Sequence, residues 1–193
     1  MMRVLYATAA TVLLAATTLC AQRRSERAGG WIGIGAGPGN AGATCDECTS
    51  DRLWGFSGMV RAGGTITQNL LLGFETNGWL RSTDEIDSRL GFASLTATLF
   101  PSLATTFYIK VGLGGMSYYA QEQTAGGNEL SALAPAVMAG IGYEIVIPGA
   151  PVIVPYFNYL ASTSVDVSVN GQAVPTSTIS VSLLQLGVGL LWR

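Results

Sequence analysis

Large apolar residues stand at every second position near the end of the chain, within residues 178–193. Five such positions follow one another: Leu184, Leu186, Val188, Leu190 and Trp192. Among the residues between them are a glutamine and two glycines. Strict alternation indicates a strand with two unlike faces. Because the second face is mostly glycine and an aromatic residue closes the stretch, the pattern is typical of a membrane-spanning strand whose apolar face meets lipid.

Seven earlier segments show the same alternation and are predicted to be strands. They cover residues 31–39, 53–66, 70–80, 90–100, 106–120, 131–147 and 151–161. With the last stretch they make eight strands of about the 9–11 residues that a tilted strand needs to cross a bilayer. We therefore predict an all-β fold, an eight-stranded antiparallel up-and-down transmembrane β-barrel.

The connections between the predicted strands alternate in length. The short ones are 67–69, 101–105 and 148–150, and the long ones are 40–52, 81–89, 121–130 and 162–177. Short periplasmic turns and long external loops are the outer-membrane pattern, and a soluble sandwich has no reason to follow it. Within the last long connection, residues 165–171 are predicted to form a hairpin tip that stands clear of the membrane.

The composition narrows the choice of environment. The chain has 193 residues, enough for one domain, and only 11% of them are charged, against about 25% in soluble domains. Although 49% are hydrophobic, no apolar run beyond the N-terminus reaches the ~18 residues of a transmembrane helix. These figures leave a soluble all-β protein or a membrane barrel. A net charge of −2 offers no basic patch for phosphates and argues against a nucleic-acid partner.

The N-terminus is predicted to be a cleavable signal peptide. Arg3 precedes an apolar stretch from Val4 to Leu19, and the small residue Ala21 follows, which is the order of a secretory signal. Cys20 leaves lipidation as an alternative, which the bulky Leu19 before it disfavours. The mature chain would meet an oxidising compartment. The predicted organisation is a signal peptide at 1–21, a polar lead-in at 22–30 and the barrel at 31–193.

Charged residues are concentrated in the long connections. Nine acidic residues lie there: Asp46, Glu47, Asp51, Asp84, Glu85, Asp87, Glu122, Glu129 and Asp166. Four charged residues lie well inside predicted strands: Arg61, Glu75, Lys110 and Glu144. All four have the parity opposite to the apolar face, so they are predicted to point into the lumen.

The spacing of these four residues predicts a lumenal ion cluster. Arg61 and Glu75 are equidistant from the middle of a tight turn, and Lys110 and Glu144 are symmetric about the loop at 126–127. If both hairpins pair in simple register, each pair lies directly cross-strand and all four lie at nearly one depth. Paired charges can fill a narrow barrel, whereas unpaired charges are costly to bury. The alternative is four unrelated charges beside lumenal water.

The sequence gives little support for catalysis or for metal binding. The chain has no histidine, which excludes Ser–His and Cys–His nucleophile pairs and histidine metal sites. Cys45 and Cys48 form a CxxC in an exported loop, so we predict a small loop disulfide, with a redox role as the alternative. Asp84 and Asp87 could bind a divalent cation, but a solvated acidic loop is the preferred interpretation. We predict no enzyme, no cofactor and no metal site.

Six aromatic residues fall near predicted strand ends: Trp31, Trp54, Trp79, Tyr118, Tyr119 and Trp192. Girdles of aromatic residues at both membrane interfaces are a feature of outer-membrane barrels. We therefore predict that these six side chains lie at headgroup depth. The alternative is that they are ordinary core residues.

The signal peptide, the eight alternating strands and the aromatic-ended last strand together resemble the small outer-membrane barrels of the OmpA, OmpX and OmpW type. The ending at 183–192, LLQLGVGLLW, is also similar to that of outer-membrane β-barrel domain proteins. The resemblance implies a porin-like protein of the Gram-negative envelope, with a last strand that is read by the barrel-assembly machinery. Arg193 follows the terminal aromatic residue here, which departs from that pattern. The resemblance offers no catalytic residues to carry over.

Three functions agree with these features. The first is a closed structural barrel of the outer membrane, with its lumen filled by the ion cluster and its acidic loops outside. The second is a narrow pore for small solutes, suggested by the glycine-lined lumen. The third is a secreted, lipocalin-like binding barrel with an apolar interior. We expect an outer-membrane location, outer-membrane lipid and lipopolysaccharide as partners, and a monomer.

Overall fold

The fold is described from a computed structural model of the chain. It describes residues 27–45, 48–49, 52–83, 86–123, 129–170 and 172–193. The predicted signal peptide, residues 1–21, lies outside the described residues and stays a prediction. Within the described ranges, no helix is long and apolar enough to cross a membrane.

The described residues form ten β-strands. In chain order they are β1 Gly30–Cys45, β2 Cys48–Thr49, β3 Leu53–Thr67, β4 Leu70–Ser82, β5 Ile86–Leu99, β6 Phe107–Glu122, β7 Glu129–Tyr143, β8 Val152–Ser162, β9 Val165–Val169 and β10 Gln172–Trp192. Eight of these strands are long, with 11 to 21 residues each. The other two, β2 and β9, have 2 and 5 residues.

The eight long strands close into a barrel. Each pairs antiparallel with the next long strand along the chain, and β1 also pairs with β10. The two short strands lengthen the hairpins at one end: β2 pairs with the end of β1, and β9 pairs with β10 and β7. Closure removes the free sheet edges that an open sheet exposes. The predicted all-β, eight-stranded up-and-down barrel is confirmed.

The strands are staggered around the barrel. A path from Trp31 through the cross-strand partner on each strand in turn returns to β1 at Ala41, ten residues further along. In barrels such a stagger accompanies a strand tilt of about 35–45°. Because of this tilt, side chains that meet inside the lumen need not belong to directly paired residues.

Large apolar side chains cover the outside of the barrel. Every barrel strand contributes exposed residues of this kind, for example Ile34, Val60, Phe74, Leu95, Leu113, Leu133, Phe157 and Leu186. Leu113 and Leu133 are more than 70% exposed. The residues next to them in sequence point inward, as the period of two requires. The predicted outward orientation of the aliphatic residues is confirmed.

The long connections contain more strand than predicted. β1 runs to Cys45, β5 begins at Ile86 and β10 begins at Gln172, each inside a predicted loop. Polar side chains do not stop a strand whose backbone groups still find partners on the neighbouring strand. The predicted hairpin at 165–171 is formed by β9 and the start of β10, with Asn170 in the left-handed region at φ 51°. We call this end of the barrel the long-loop end and the opposite one the short-turn end.

The lumen is filled in three layers. The upper apolar cluster, at the long-loop end, is built around Trp79, Leu90, Phe92, Met116, Met138, Leu160 and Leu183. The lower apolar cluster, at the short-turn end, consists of Trp31, Leu71, Phe100, Tyr108, Val152, Val154 and Leu191. Between them lies the polar belt, which contains the buried residues Arg61, Glu75, Asn77, Ser94, Thr96, Lys110, Asn158 and Gln185. Along β4, for example, the inward positions pass from Leu71 through Glu75 and Asn77 to Trp79.

Candidate functional site

A buried ion pair lies in the polar belt. The ammonium of Lys110 donates to both carboxylate oxygens of Glu75, with Nζ–Oε1 and Nζ–Oε2 distances of 2.8 and 2.6 Å. The amide of Asn77 donates to Oε1 of the same carboxylate at 3.1 Å. The side chains of Lys110 and Glu75 are 1% and 0% exposed. Such a pair offsets the cost of burying both charges only because each makes several good hydrogen bonds.

The register explains why these two residues meet. Arg61 and Glu75 are direct cross-strand partners, as their spacing predicts. The predicted pairing of Lys110 with Glu144 is wrong, because β6 and β7 pair four residues out of the assumed register and Lys110 lies opposite Gly140. Lys110 instead crosses β5 to reach Glu75 on β4. Only small polar residues face inward on β5 at this depth, which leaves room for the lysine to cross.

Glu144 holds a second group of charges, at the short-turn end. It follows the last residue of β7 and is buried. Its Oε2 accepts from Nε of Arg27 at 3.3 Å, and its Oε1 accepts from Nη2 of Arg193. A residue before the first strand and a residue after the last strand therefore share one carboxylate, beside the seam where β1 meets β10.

Arg27 also ties the short turns together. Its guanidinium donates to the carbonyl of Thr105 at 2.8 Å and to the carbonyl of Gln68 at 3.4 Å. It lies 3.5 Å above the ring centroid of Phe100, in the range of a cation–π contact. Sequence reasoning missed Arg27 and Arg193 because both lie outside the alternating strands. No signal in the pattern assigns them to the lumen.

Arg61 is buried in a different setting. Its Nη1 donates to the hydroxyl of Tyr108 at 3.4 Å, and its guanidinium carbon lies 5.6 and 5.8 Å from the ring centroids of Tyr108 and Trp31. No ion pair joins Arg61 to a carboxylate within the described residues. The predicted pairwise neutralisation is therefore incorrect for Arg61, although it is the cross-strand partner of Glu75.

Polar atoms without partners accumulate around the polar belt. Asn158 donates to Gln185 at 3.3 Å, but several buried atoms have no hydrogen-bond partner in the described part of the chain. They include Nε of Arg61, Oδ1 of Asn77, Oγ of Ser94, the hydroxyl of Tyr156, Oδ1 of Asn158 and Nε2 of Gln185. Unpartnered buried polar atoms are uncommon in folded proteins and indicate ordered water or another small ligand.

The six aromatic residues predicted for the girdle divide into two groups. Trp54 and Trp192 are 66% and 40% exposed and face outward at opposite ends of the barrel. Tyr119 also points outward, with its hydroxyl 3.1 Å from Oε1 of Gln121.

The prediction of an outer girdle is wrong for Trp31, Trp79 and Tyr118. Trp31 and Trp79 are 6% and 1% exposed and lie inside the barrel, while Tyr118 packs against the upper apolar cluster. The reason is parity, because the neighbours of the two tryptophans, Ile32 and Leu80, occupy the outer face. Nε1 of Trp79 donates to the carbonyl of Gly39 at 3.2 Å. These three residues fill the lumen instead of meeting headgroups.

Two predicted loop features involve side chains that the structure does not describe. The backbones of Cys45 and Cys48 are cross-strand partners, but their side chains lie outside the described part, so the disulfide stays a prediction. Asp84 lies outside the described residues as well. Among the residues that are described, no group of three His, Cys, Asp or Glu side chains is arranged to hold a metal ion.

The described residues define a class of protein: a closed eight-stranded β-barrel with an apolar outer wall and a lumen filled by two apolar clusters and a polar belt. Solved structures of this class resemble it. Neisserial surface protein A is similar at 16% identity and a TM-score of 0.55, over 84% of this chain and 95% of that one. Ail of Yersinia pestis is similar at 15% identity and 0.54, over 85% and 99%. OprG of Pseudomonas aeruginosa is similar at 11% identity and 0.52, over 89% and 100%.

These likenesses establish the fold. No protein-family model matches the sequence, and no curated protein is significantly similar to it. The chain has the fold of the small eight-stranded outer-membrane barrels, and the resemblance that the sequence suggests is confirmed at this level.

Proposed function

We propose that this protein is an integral outer-membrane β-barrel with a structural role and a closed lumen. The observation that carries the proposal is the apolar outer wall, since exposed aliphatic and aromatic residues occur on every barrel strand. Exposure of such an apolar surface is unfavourable in water and favourable against lipid tails. The similar outer-membrane barrels support the location, and the absence of histidine from the sequence supports a role that is not enzymatic.

The contents of the lumen favour a structural barrel over a binding barrel. A lipocalin-like binder needs an apolar interior that can accept a ligand, whereas this lumen contains buried charges between two apolar clusters. Eight-stranded barrels leave an interior just wide enough for side chains. The side chains of Trp79, Tyr108 and Phe100 fill the ends of that interior, each with 1% exposure.

A pair of arginine substitutions tests the membrane location. Leu113 points outward in the middle of β6, and Ser117 points outward four residues nearer the long-loop end. Arginine at the bilayer midplane costs about 2–4 kcal/mol in such barrels and about 0–1 near an interface. We expect Leu113→Arg to lower the yield of folded, heat-modifiable barrel in the outer-membrane fraction much more than Ser117→Arg. Recovery of the wild-type protein in the soluble fraction would refute the proposal.

A narrow pore is the second candidate, and the unpartnered polar atoms of the polar belt favour it. Hydrated polar groups could form part of a path for small solutes. Recording from the purified barrel in planar bilayers separates the two candidates. A closed structural barrel predicts no steady conductance, and a pore predicts a steady, reproducible one.

The exposed loops indicate which external partners to expect. Ail has been solved with a heparin analogue, sucrose octasulfate. Nine acidic residues fall in the four long connections that the sequence predicts, and they would repel such a polyanion. We propose outer-membrane lipid and lipopolysaccharide as partners, with divalent cations bridging the acidic loops to lipopolysaccharide phosphates, and assembly as a monomer by the barrel-assembly machinery. Failure of the protein to be retained on a heparin column at low salt is the expected result.

A further inference from the structure

The buried charges of the lumen do not balance. Among the described residues, three buried cations, Arg27, Arg61 and Lys110, face two buried carboxylates, Glu75 and Glu144. Lys110 is bonded to Glu75 and Arg27 to Glu144, and Glu144 also accepts from Arg193. Arg61 is left with a phenol and two aromatic faces. An unneutralised charge in a dry interior costs several kcal/mol. A bound anion would remove that cost for the guanidinium of Arg61.

A small cavity adjoins Arg61. It has a volume of about 10 Å³ and is lined by Trp31, Arg61, Leu71, Thr98, Tyr108, Glu144 and Leu191. That is room for one water molecule, and a monatomic anion, which is slightly larger, needs small shifts of the lining side chains. Sulfate, phosphate and carboxylic acids are too large for it. Two leucines form apolar walls, and the remaining lining residues bring polar atoms or aromatic rings.

Hydrogen-bond donors are in excess among the residues that line this cavity. Nε of Arg61 and Nε1 of Trp31 are buried N–H groups that find no acceptor in the described portion of the chain. The hydroxyl of Tyr108 accepts from Arg61, which leaves its own hydrogen free to donate. Glu144 contributes a carboxylate, but each of its oxygens already accepts from an arginine. The lining residues therefore combine unsatisfied donors with a positive charge, and an acceptor that is also an anion satisfies both.

We propose that the lumen binds one small inorganic anion of the halide class, chloride under ordinary conditions, in the cavity between Arg61, Trp31 and Tyr108. A halide accepts from several donors at once and neutralises the guanidinium. A water molecule would accept from two donors, but it would leave the charge of the guanidinium in place. Arg27 and Arg193 compensate the charge of Glu144, so this carboxylate does not prevent an anion from binding. The proposal depends on the barrel fold and is independent of the structural or pore role.

Unfolding in different salts tests the site. The purified barrel, folded in detergent, is titrated with urea in sodium chloride and in sodium gluconate of equal ionic strength, and the heat-modifiable folded band is measured. We expect chloride to raise the midpoint in a saturable way, because a ligand that binds only the folded state stabilises it. Arg61→Gln should abolish the difference between the two salts. Arg89→Gln, which removes an exposed arginine on the outer face of β5, should leave the difference unchanged.

A milder variant and a direct probe keep the test decisive if Arg61→Gln fails to fold. Tyr108→Phe removes one donor with little change in shape and should weaken chloride binding about tenfold. Crystals grown in sodium bromide should show one anomalous peak in the cavity. Equal midpoints in both salts, an unchanged salt difference in both variants, or a cavity that holds only water in bromide would each overturn the proposal. None of these results depends on where the barrel resides.

Discussion

Buried ionisable residues are the features of this lumen that single substitutions can test. Lys110 and Glu75 are nearly inaccessible to solvent and bonded to each other. Removing one member of such a pair leaves an uncompensated charge, whereas removing both does not. The two partners must therefore be tested separately and together.

Replacing Lys110 with methionine is expected to lower the free energy of unfolding by about 3–5 kcal/mol, since Glu75 then keeps its charge without a cation. The double variant Lys110→Met with Glu75→Gln should recover most of that loss. Urea titration of the folded barrel measures both values. Arg89→Gln, an exposed substitution, is the control and should not move the midpoint. A double variant that is as unstable as the single one would argue against the ion pair.

The two arginines on Glu144 give a second test at this scale. Arg27→Ala and Arg193→Ala each remove one donor from the shared carboxylate. Each is expected to cost about 1.5–3 kcal/mol, the usual range for hydrogen bonds to a charged group. Because both donors share one acceptor, their effects should not add. A double-mutant cycle by urea titration checks this, and strict additivity would mean that Glu144 does not couple them.

At the scale of strands, the barrel depends on glycines where backbones approach closely. A Cβ at Gly37 on β1 would overlap the carbonyl oxygen of Leu186 on β10, whereas a Cβ at Gly78 on β4 would meet nothing within 4 Å. The first position lies at the seam that closes the barrel. A methyl group can be added without conflict only at the second.

Gly37→Ala is therefore expected to destabilise the barrel by about 1–3 kcal/mol through overpacking against backbone. Gly78→Ala is expected to be neutral or to stabilise it by about 0.4–1 kcal/mol, because alanine restricts the unfolded chain. The midpoint of heat modifiability, measured for both variants side by side, tests the contrast. Equal effects would contradict the close approach of β1 and β10.

Strand positions and faces could be predicted because a period of two is a local property. The registers could not be predicted in every case. Arg61 and Glu75 flank a short turn, and a register shift between Thr65 and Thr67 puts them opposite each other, as their symmetric spacing predicts. The pairing of Lys110 depends on a long loop whose length alone does not set the register. The wrong placement of Trp31 and Trp79 could have been avoided, because Ile32 and Leu80 beside them already occupied the outer face.

At the scale of the whole molecule, the lumen combines contributions from distant parts of the chain. Arg27 lies before the first strand, Glu144 lies beyond β7 and Arg193 ends the chain, yet they meet at one end of the barrel. No periodic pattern encodes that meeting, because it follows from closure of the barrel. The polar belt and both apolar clusters likewise draw on several strands. Sequence pattern therefore predicts the wall of this barrel better than its contents.

Strand β10 contributes both to the barrel wall and to a hairpin that extends beyond it. β10 pairs with β8 and β1 over residues 182–191, and its first part pairs with β9 in a hairpin beyond the barrel wall. Replacing residues 164–177 with a short turn should leave a folded, heat-modifiable barrel of slightly lower stability, because the wall keeps its pairing. Deleting residues 184–192 should abolish folding, since β1 and β8 then lose their shared neighbour. Loss of the folded band in the hairpin variant would mean that β9, through its contacts with β7, is needed for closure.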